Sequence, residues 1–313
     1  MPASPTQGTI PIIAGPTAGG KTTLAVELAL RLAPAQVISA DSMLLYQGMD
    51  IGTAKPTPDE RRGVAHHLID VCDPGDSFTV HDWLRAATAA IGSVVSSGSR
   101  AIVAGGTHLY IKALLDGLFD GPGADPALRA ELDSLDNDTL RAALLSADPA
   151  AAARLHPNDR RRTIRALEVF RLTGTPISSL QRQWDAQRPE SPYLLVVLDW
   201  PTERINSRIN DRVRQMVAQG FVAEARGLWE ARRLGPQARE ALGYKQLLSH
   251  FEGLCSLDDA IEQIKIETRR FAKNQRTWLR RLGTTPGCVR IDCDAVPPEA
   301  RAGPVLRALG VSP

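Results

Sequence analysis

No apolar run in the sequence approaches the roughly 20 residues that a membrane-spanning helix needs. The opening residues, MPASPTQGT, carry neither the basic stretch nor the apolar stretch of an export signal. Cysteine is scarce and scattered: Cys72, Cys255, Cys288 and Cys293, of which only the last two approach each other, as C-x4-C without histidine partners. That spacing argues against zinc, and the scatter argues against a disulfide framework. Together these absences predict a soluble, membrane-free chain of the reducing cytoplasm. No internal repeat is present, and a formal net charge of +2 is too small by itself to announce a partner of opposite charge.

The 313 residues, 43% of them apolar, are enough for one large or two modest domains, each with its own core. An apolar run over residues 9–14 is broken by Gly15-Pro16, and a helical pattern then begins at Thr22 with Leu24, Leu28 and Leu32. The same order of strand, loop and helix recurs at 36–40 before Asp41 and at 100–104 before Gly105-Gly106-Thr107. Short buried strands alternating with helices predict an α/β fold, a parallel sheet covered by helices on both faces. Residues 1–120 and 191–313 are assigned to this core. Between them, residues 121–190 lack strand-like runs and read as an all-helical insertion: Asp125-Pro126 and Asp148-Pro149 are helix starts, and Gly174 closes a helix begun near Asn158. A strand over 193–198 returns the chain to the sheet, a long helix is predicted over 204–230, and the stretch beyond Pro286 gives little pattern.

Gly15-Pro16-Thr17-Ala18-Gly19-Gly20-Lys21-Thr22 satisfies G-x-x-x-x-G-K-[ST] between a predicted strand and a predicted helix. Glycines let backbone N–H groups converge on phosphate oxygens, the helix N-terminus adds partial positive charge, Lys21 supplies a point charge and Thr22 a hydroxyl for Mg²⁺. The loop does not distinguish a nucleoside triphosphate from another diphosphate.

Ligands of open parallel sheets bind beyond the carboxyl ends of the strands, which directs attention to Asp41 and Thr107. Spacing alone leaves Asp41 as a catalytic group, a metal ligand or a loop cap, and Thr107 as a site residue or merely the cap of the next helix. Arg204, Arg208 and Arg212 recur every fourth residue, either as a solvated stripe or as a clamp on phosphate oxygens. Arg269, Lys273, Arg276 and Arg280 form one side of a helix whose other side is marked by Ile264, Phe271, Trp278 and Leu282. No acidic residue follows Glu267 in that segment, and a second basic cluster, Arg160, Arg161, Arg162 and Arg165, lies in the insertion. Two such patches predict a folded RNA as partner.

Taken together, GPTAGGKT, ISADSMLLYQGMDIGTAKP (38–56), HHLID (66–70), AGGTHLY (104–110), LHPNDRRRTIRALEVF (155–170), ALGYKQL (241–247) and AKNQRTWLR (272–280) resemble the bacterial tRNA dimethylallyltransferases from about Ile10 to Leu282. The resemblance implies a P-loop NTPase-like core with a helical insertion. It implies transfer, with Mg²⁺ as cofactor, of a dimethylallyl group from dimethylallyl diphosphate to N6 of the adenosine beside the anticodon, position 37, of tRNAs reading codons that start with U. It further implies Asp41 as general base, Thr107 beside the reacting amine, and Gly15 to Thr22 with Arg212 as the diphosphate site. For tRNA contacts it implies Asp41, Ser42, Met43, Leu44, Thr107, Arg129, Arg161, Arg162, Arg165, Gly243, Tyr244, Lys245, Lys273, Gln275, Arg276, Trp278 and Arg280. Glu240 and Asn274 replace bases usual in the family, and Gly19 replaces a loop serine. Oligomeric state is left at its default, a monomer. Three alternatives need different substrates: a small-molecule kinase, an adenylate prenyltransferase, and an RNA-binding module that uses nucleotide as a switch.

Overall fold

In the computed structural model, residues 8–119, 121–181 and 191–312 are described; the stretch read for an export signal lies largely outside them, as do residues 182–190 of the predicted insertion. The chain divides into two compact units, one of residues 1–115 with 191–313 and one of residues 116–190.

The first unit is built on β1 (Ile10–Ala14), α1 (Lys21–Arg31), β2 (Ala35–Ser39), the short α2 (Pro58–Arg61), β3 (His66–His67), α3 (Val80–Ser96), β4 (Arg100–Gly105) and α4 (His108–Asp116). In the second unit α5 (Pro126–Asp133), α6 (Asn137–Ala147), α7 (Pro149–Arg154), α8 (Arg160–Thr173) and α9 (Ile177–Leu180) follow one another. The chain then returns to the first unit through β5 (Tyr193–Asp199), α10 (Thr202–Ala218), α11 (Phe221–Glu230), α12 (Tyr244–Phe251), α13 (Leu257–Leu282), β6 (Val289–Asp292) and α14 (Ala302–Ala308).

The six strands form one sheet in the order β3-β2-β4-β1-β5-β6, every pair parallel. Side chains alternate across it: Ile12 and Ala14 of β1 enter one core with Trp83 of α3 and Ile111 of α4, while Ile13 enters another with Leu24 and Leu28 of α1 and Val305 of α14. Register sets up the site. Ala14 pairs with Gly105 and Ser39 with Ala104, so β1, β4 and β2 end level with one another and release Gly15, Gly106 and Ala40 at the same edge. Only glycine fits at 105, because a Cβ there would lie 2.0 Å from the Ala40 carbonyl oxygen.

The second unit has its own core, with Leu132, Leu140, Leu144, Leu167 and Val169 buried together. Its helix starts follow the capping logic of the sequence: the carboxylates of Asp125 and Asp148 accept N–H bonds from Leu128 and Ala151, each before a proline. Helix α8 begins at Arg160, capped by Asp159, and ends at Gly174 in a left-handed conformation.

Two expectations are corrected. The single helix predicted over 204–230 is two, α10 and α11, because Gly220, at φ 102°, breaks the first and caps the second. The unpatterned stretch beyond Pro286 contains β6, a four-residue edge strand of alternating exposure, and α14. β3, with only two residues, also escaped the pattern.

Candidate functional site

The phosphate loop owes its shape to where its carbonyls go. Pro16 O accepts from Lys21 Nζ (2.9 Å) and from the Gly19 N–H (3.0 Å). Ala18 O accepts from Arg208 Nε (2.8 Å) and Gly19 O from Trp200 Nε1 (3.0 Å), with the Arg208 and Arg301 guanidinium groups packed on the Trp200 ring. Gly20 caps α1 in a left-handed conformation (φ 87°), no side chain caps the helix, and its first turn holds no acid. The N–H groups of that turn and the helix dipole are therefore open to an anion without competition from a side chain of the turn. Earlier in the loop two N–H groups are already used: Gly19 donates to Pro16 O, and Thr17 donates to Gln275 Oε1 at 2.7 Å.

Asp41 and Thr107 meet at the adjoining strand ends. The Thr107 hydroxyl accepts the Ser42 N–H (2.9 Å) and donates to the Ser42 hydroxyl (3.3 Å), while the Thr107 carbonyl accepts the Tyr110 and Ile111 N–H groups at the start of α4. Asp41 Oδ1 accepts the Met43 N–H (3.0 Å), which fixes the turn; its other oxygen has no hydrogen-bond partner among the described residues. Leu44 follows, half-buried.

These groups open into one cavity of about 330 Å³. Thr17, Asp41, Ser42, Gly106, Thr107 and Arg212 form its polar lining, and Ile209, Val213, Met216, Phe221, Ile264 and Phe271 its apolar lining, with Met43, Glu240 and Gly243 also at the wall. Burial lowers the Lys21 ammonium from its ordinary 10.5 to about 8, with Asp41 pulling it up and Arg212 pushing it down. Burial likewise pushes the Arg212 guanidinium below its ordinary value, against the pull of the Glu60 and Asp41 carboxylates. Arg212 has no hydrogen-bonded or ion-paired partner among the described residues, an arrangement that favours an anionic ligand. The arginine stripe has three fates, because a four-residue step advances 40° past a full turn: Arg204 pairs with Asp294, Arg208 holds the loop, and Arg212 enters the cavity.

No three His, Cys, Asp or Glu residues converge as a metal cage among the described residues. The half-buried Thr22 hydroxyl, which has no hydrogen-bond partner there, and the free oxygen of Asp41 are hard donors of the class Mg²⁺ takes alongside water and substrate phosphate oxygens. The donor set thus fits a cation shared with a diphosphate.

The far wall is set by a residue that no motif revealed. The Glu224 carboxylate of α11 accepts the N–H groups of Asp50, Ile51 and Gly52 at 2.7–3.0 Å and the Tyr244 hydroxyl at 2.5 Å. Tyr244 is fully buried, so a direct RNA contact by its side chain is corrected: its hydroxyl is committed to Glu224 and its ring meets Phe221 edge-on. Gly243 sits against the same Phe221 ring, and Lys245 pairs with Glu240 at 2.7 Å.

Helix α13 buries Ala260, Ile264, Ala272, Gln275, Leu279 and Leu282. Gln275 is 2% exposed and both ends of its amide are hydrogen-bonded within the protein, so it too is withdrawn from the RNA-facing set. Phe271, expected on the buried side, is 40% exposed and lines the cavity, one residue off the buried stripe. Lys273 and Arg280 are exposed, Arg276 donates to the Thr202 hydroxyl, Asn274 is exposed, and Trp278 stacks on His108 with centroids 5.9 Å apart.

In the second unit Arg161 is exposed, Arg162 pairs with Asp159, and Arg160 ties Asp133 to Asn137. Arg129 and Arg165 both grip the fully buried Glu168 carboxylate, Arg129 with two bonds of 2.8 and 2.9 Å. Their first task is therefore internal.

A model of the IPP transferase family matches residues 44–282. The chain is 46% identical over 279 residues to tRNA dimethylallyltransferase 1 of Trichlorobacter lovleyi, covering 86% of this chain and 90% of that protein. It is 48% identical over 278 residues to tRNA dimethylallyltransferase of Geobacter sulfurreducens, covering 86% and 88%. The crystal structure of the full-length tRNA isopentenylpyrophosphate transferase of Bacillus halodurans superimposes with a TM-score of 0.71 at 37% identity, covering 97% of each chain. A eukaryotic dimethylallyltransferase caught in crystallographic snapshots acting on tRNA gives 0.77 at 29% identity, covering 90% of this chain and 73% of that one.

Proposed function

Because the chain belongs to the IPP transferase family, we propose that it is a tRNA dimethylallyltransferase, moving the dimethylallyl group of dimethylallyl diphosphate to N6 of the adenosine at position 37, beside the anticodon, in tRNAs reading codons that start with U. The observation that carries the reading is the cavity lined together by Thr17 of the phosphate loop, by Arg212, which has no partner among the described residues, and by the half-free Asp41, with apolar walls beside them.

The exocyclic amine of adenine is a weak nucleophile, since its lone pair is delocalised into the ring, whereas an allylic carbon ionises readily once its leaving group is stabilised. The protein therefore acts chiefly on the diphosphate. Lys21, Arg212 and the N–H groups of the α1 turn take up the charge that grows on it, electrostatic help worth several kcal/mol in preorganised sites. Mg²⁺, held through Thr22 and the diphosphate oxygens, would supply further neutralisation of the leaving group. Asp41 orients the amine and accepts its proton as the C–N bond forms and the C–O bond breaks, an effect of about 10²- to 10⁴-fold. Thr107, by holding the Ser42 N–H, keeps Asp41 aimed and stands beside the same amine. Apolar residues such as Met216 and Ile264 exclude water, which would otherwise capture the allylic carbon.

The target base must leave its stack to enter, at a cost of a few kcal/mol. Exposed Lys273 and Arg280 of α13, the Trp278 platform and Arg161 of the second unit supply phosphate and stacking contacts that offset it. A reaction on tRNA assigns the chain to the cytoplasm; no helix among the described residues is long and apolar enough to cross a membrane.

The test is an incubation of the protein with Mg²⁺, labelled dimethylallyl diphosphate, an unmodified tRNA transcript and free adenylate as competing acceptor. Label in the RNA supports the proposal. Label transferred instead to free adenylate, or no use of the donor at all, refutes it.

A further inference from the structure

We propose that Gln275 is a positioning residue, the pin that holds the phosphate loop in its anion-binding shape by fastening it to helix α13. Its amide bridges two segments remote in sequence: Oε1 accepts the Thr17 N–H at 2.7 Å and Nε2 donates to the Gly106 carbonyl at 3.0 Å. The partners fix the orientation of the amide, since an oxygen must face the N–H and an NH₂ the C=O. The side chain is 2% exposed, while Lys273 and Asn274 on the same helix are exposed. Thr17 and Gly106 both line the cavity, and Gly106 precedes Thr107, so one amide sets the spacing between the phosphate loop and the strand end that carries Thr107.

A residue here needs an acceptor and a donor at glutamine length. Methionine fills the space but orphans both backbone groups; an added Cβ at Gly106 would lie 2.7 Å from Nε2 and push the amide away, and would touch Lys21 Nζ only at van der Waals distance, 3.4 Å. The substitutions Gln275→Met and Gly106→Ala thus attack one contact from its two sides.

The role deepens the transferase reading and rests on it for the identity of the donor, but titration of the full chain with inorganic pyrophosphate and Mg²⁺ requires no transfer to occur. Gln275→Met is expected to weaken pyrophosphate about tenfold, the scale of the one of its two lost hydrogen bonds that holds the loop itself, at Thr17, and to raise the KM for dimethylallyl diphosphate similarly. Its kcat and its Kd for tRNA should stay within about threefold and twofold of wild type, the pattern of an unpinned loop. Gly106→Ala should do the same, and the double variant should be no worse than either single, because the two share one interaction. Should Gln275→Met fail to fold, Gly106→Ala carries the pyrophosphate measurement alone. Unchanged pyrophosphate binding, additive losses in the double variant, or a loss confined to tRNA affinity would each overturn the role, the last by making Gln275 an RNA contact.

Discussion

The Thr107 hydroxyl accepts the backbone N–H of Ser42 at 2.9 Å, joining the ends of β4 and β2 directly behind the Asp41 carboxylate. One oxygen of that carboxylate is spent on the Met43 N–H and the other has no partner among the described residues. The division explains how one aspartate can both stiffen its own turn and remain available to a substrate, and it dictates the variant that separates the two tasks.

Asparagine at position 41 keeps an oxygen for the Met43 N–H but cannot accept a proton. Asp41→Asn is expected to lower kcat at least about a hundredfold while leaving tRNA affinity within about threefold. Single-turnover rates alongside filter binding check this; near-normal turnover removes Asp41 as the base.

Arg212 faces the cavity without a protein partner among the described residues. Its replacement by alanine should raise the Kd for dimethylallyl diphosphate by about 10- to 100-fold, and lysine should restore only part, since a point charge lacks the guanidinium fork. An unchanged donor affinity in Arg212→Ala would contradict the assignment.

Lys21 gives a pH signature. Burial, the largest cause, brings its ammonium down to about 8 in the free protein. A bound diphosphate favours the charged form and raises that value again, so binding needs no proton below about pH 8 and takes one up above it. Donor affinity should therefore be flat from pH 7 to 7.5 and fall by up to about tenfold per unit above 8. Calorimetry in buffers of different ionisation enthalpy would register the proton uptake; a flat profile to pH 9.5 would mean that Lys21 is not at the anion.

Tyr244 and Glu224 supply a control. Tyr244→Phe removes a hydroxyl bonded to a carboxylate that also holds three N–H groups of the 50–52 turn, and should cost about 1.5–3 kcal/mol of stability. Thermal denaturation should register the loss while tRNA affinity stays within about twofold. A large drop in tRNA affinity without loss of stability would return Tyr244 to the interface.

At the exposed edge of α13, Lys273→Ala should weaken tRNA binding and flatten the slope of log affinity against log salt by about 0.7–0.9, the share of one phosphate contact. Titrations across a range of salt concentrations check it.

Much of the frame was legible in the sequence because it follows local rules: β1, the phosphate loop and α1 from an apolar run and GPTAGGKT, and the starts of α5 and α7 from Asp-Pro pairs. The residues that resisted are those whose environment is set at long range. Gln275 lies 258 positions from Thr17, and the resemblance that placed it at the RNA carries no sign of a bond to so remote a loop. Phe271 looked like core, one step around the helix from the true stripe. Glu224 carries no motif, and its partners at 50–52 lie more than 170 positions away. β6 was hidden by its brevity and by the charges an edge strand tolerates.

The measurement that tests the central claim most directly is nucleoside mass analysis of an unmodified tRNA transcript after incubation with wild-type protein, Mg²⁺ and dimethylallyl diphosphate, beside the same incubation with Asp41→Asn. The account predicts one C₅H₈ unit gained on the adenosine next to the anticodon with wild type, and almost none with the variant over the same time. Unmodified adenosine in both samples, or equal modification in both, would contradict it.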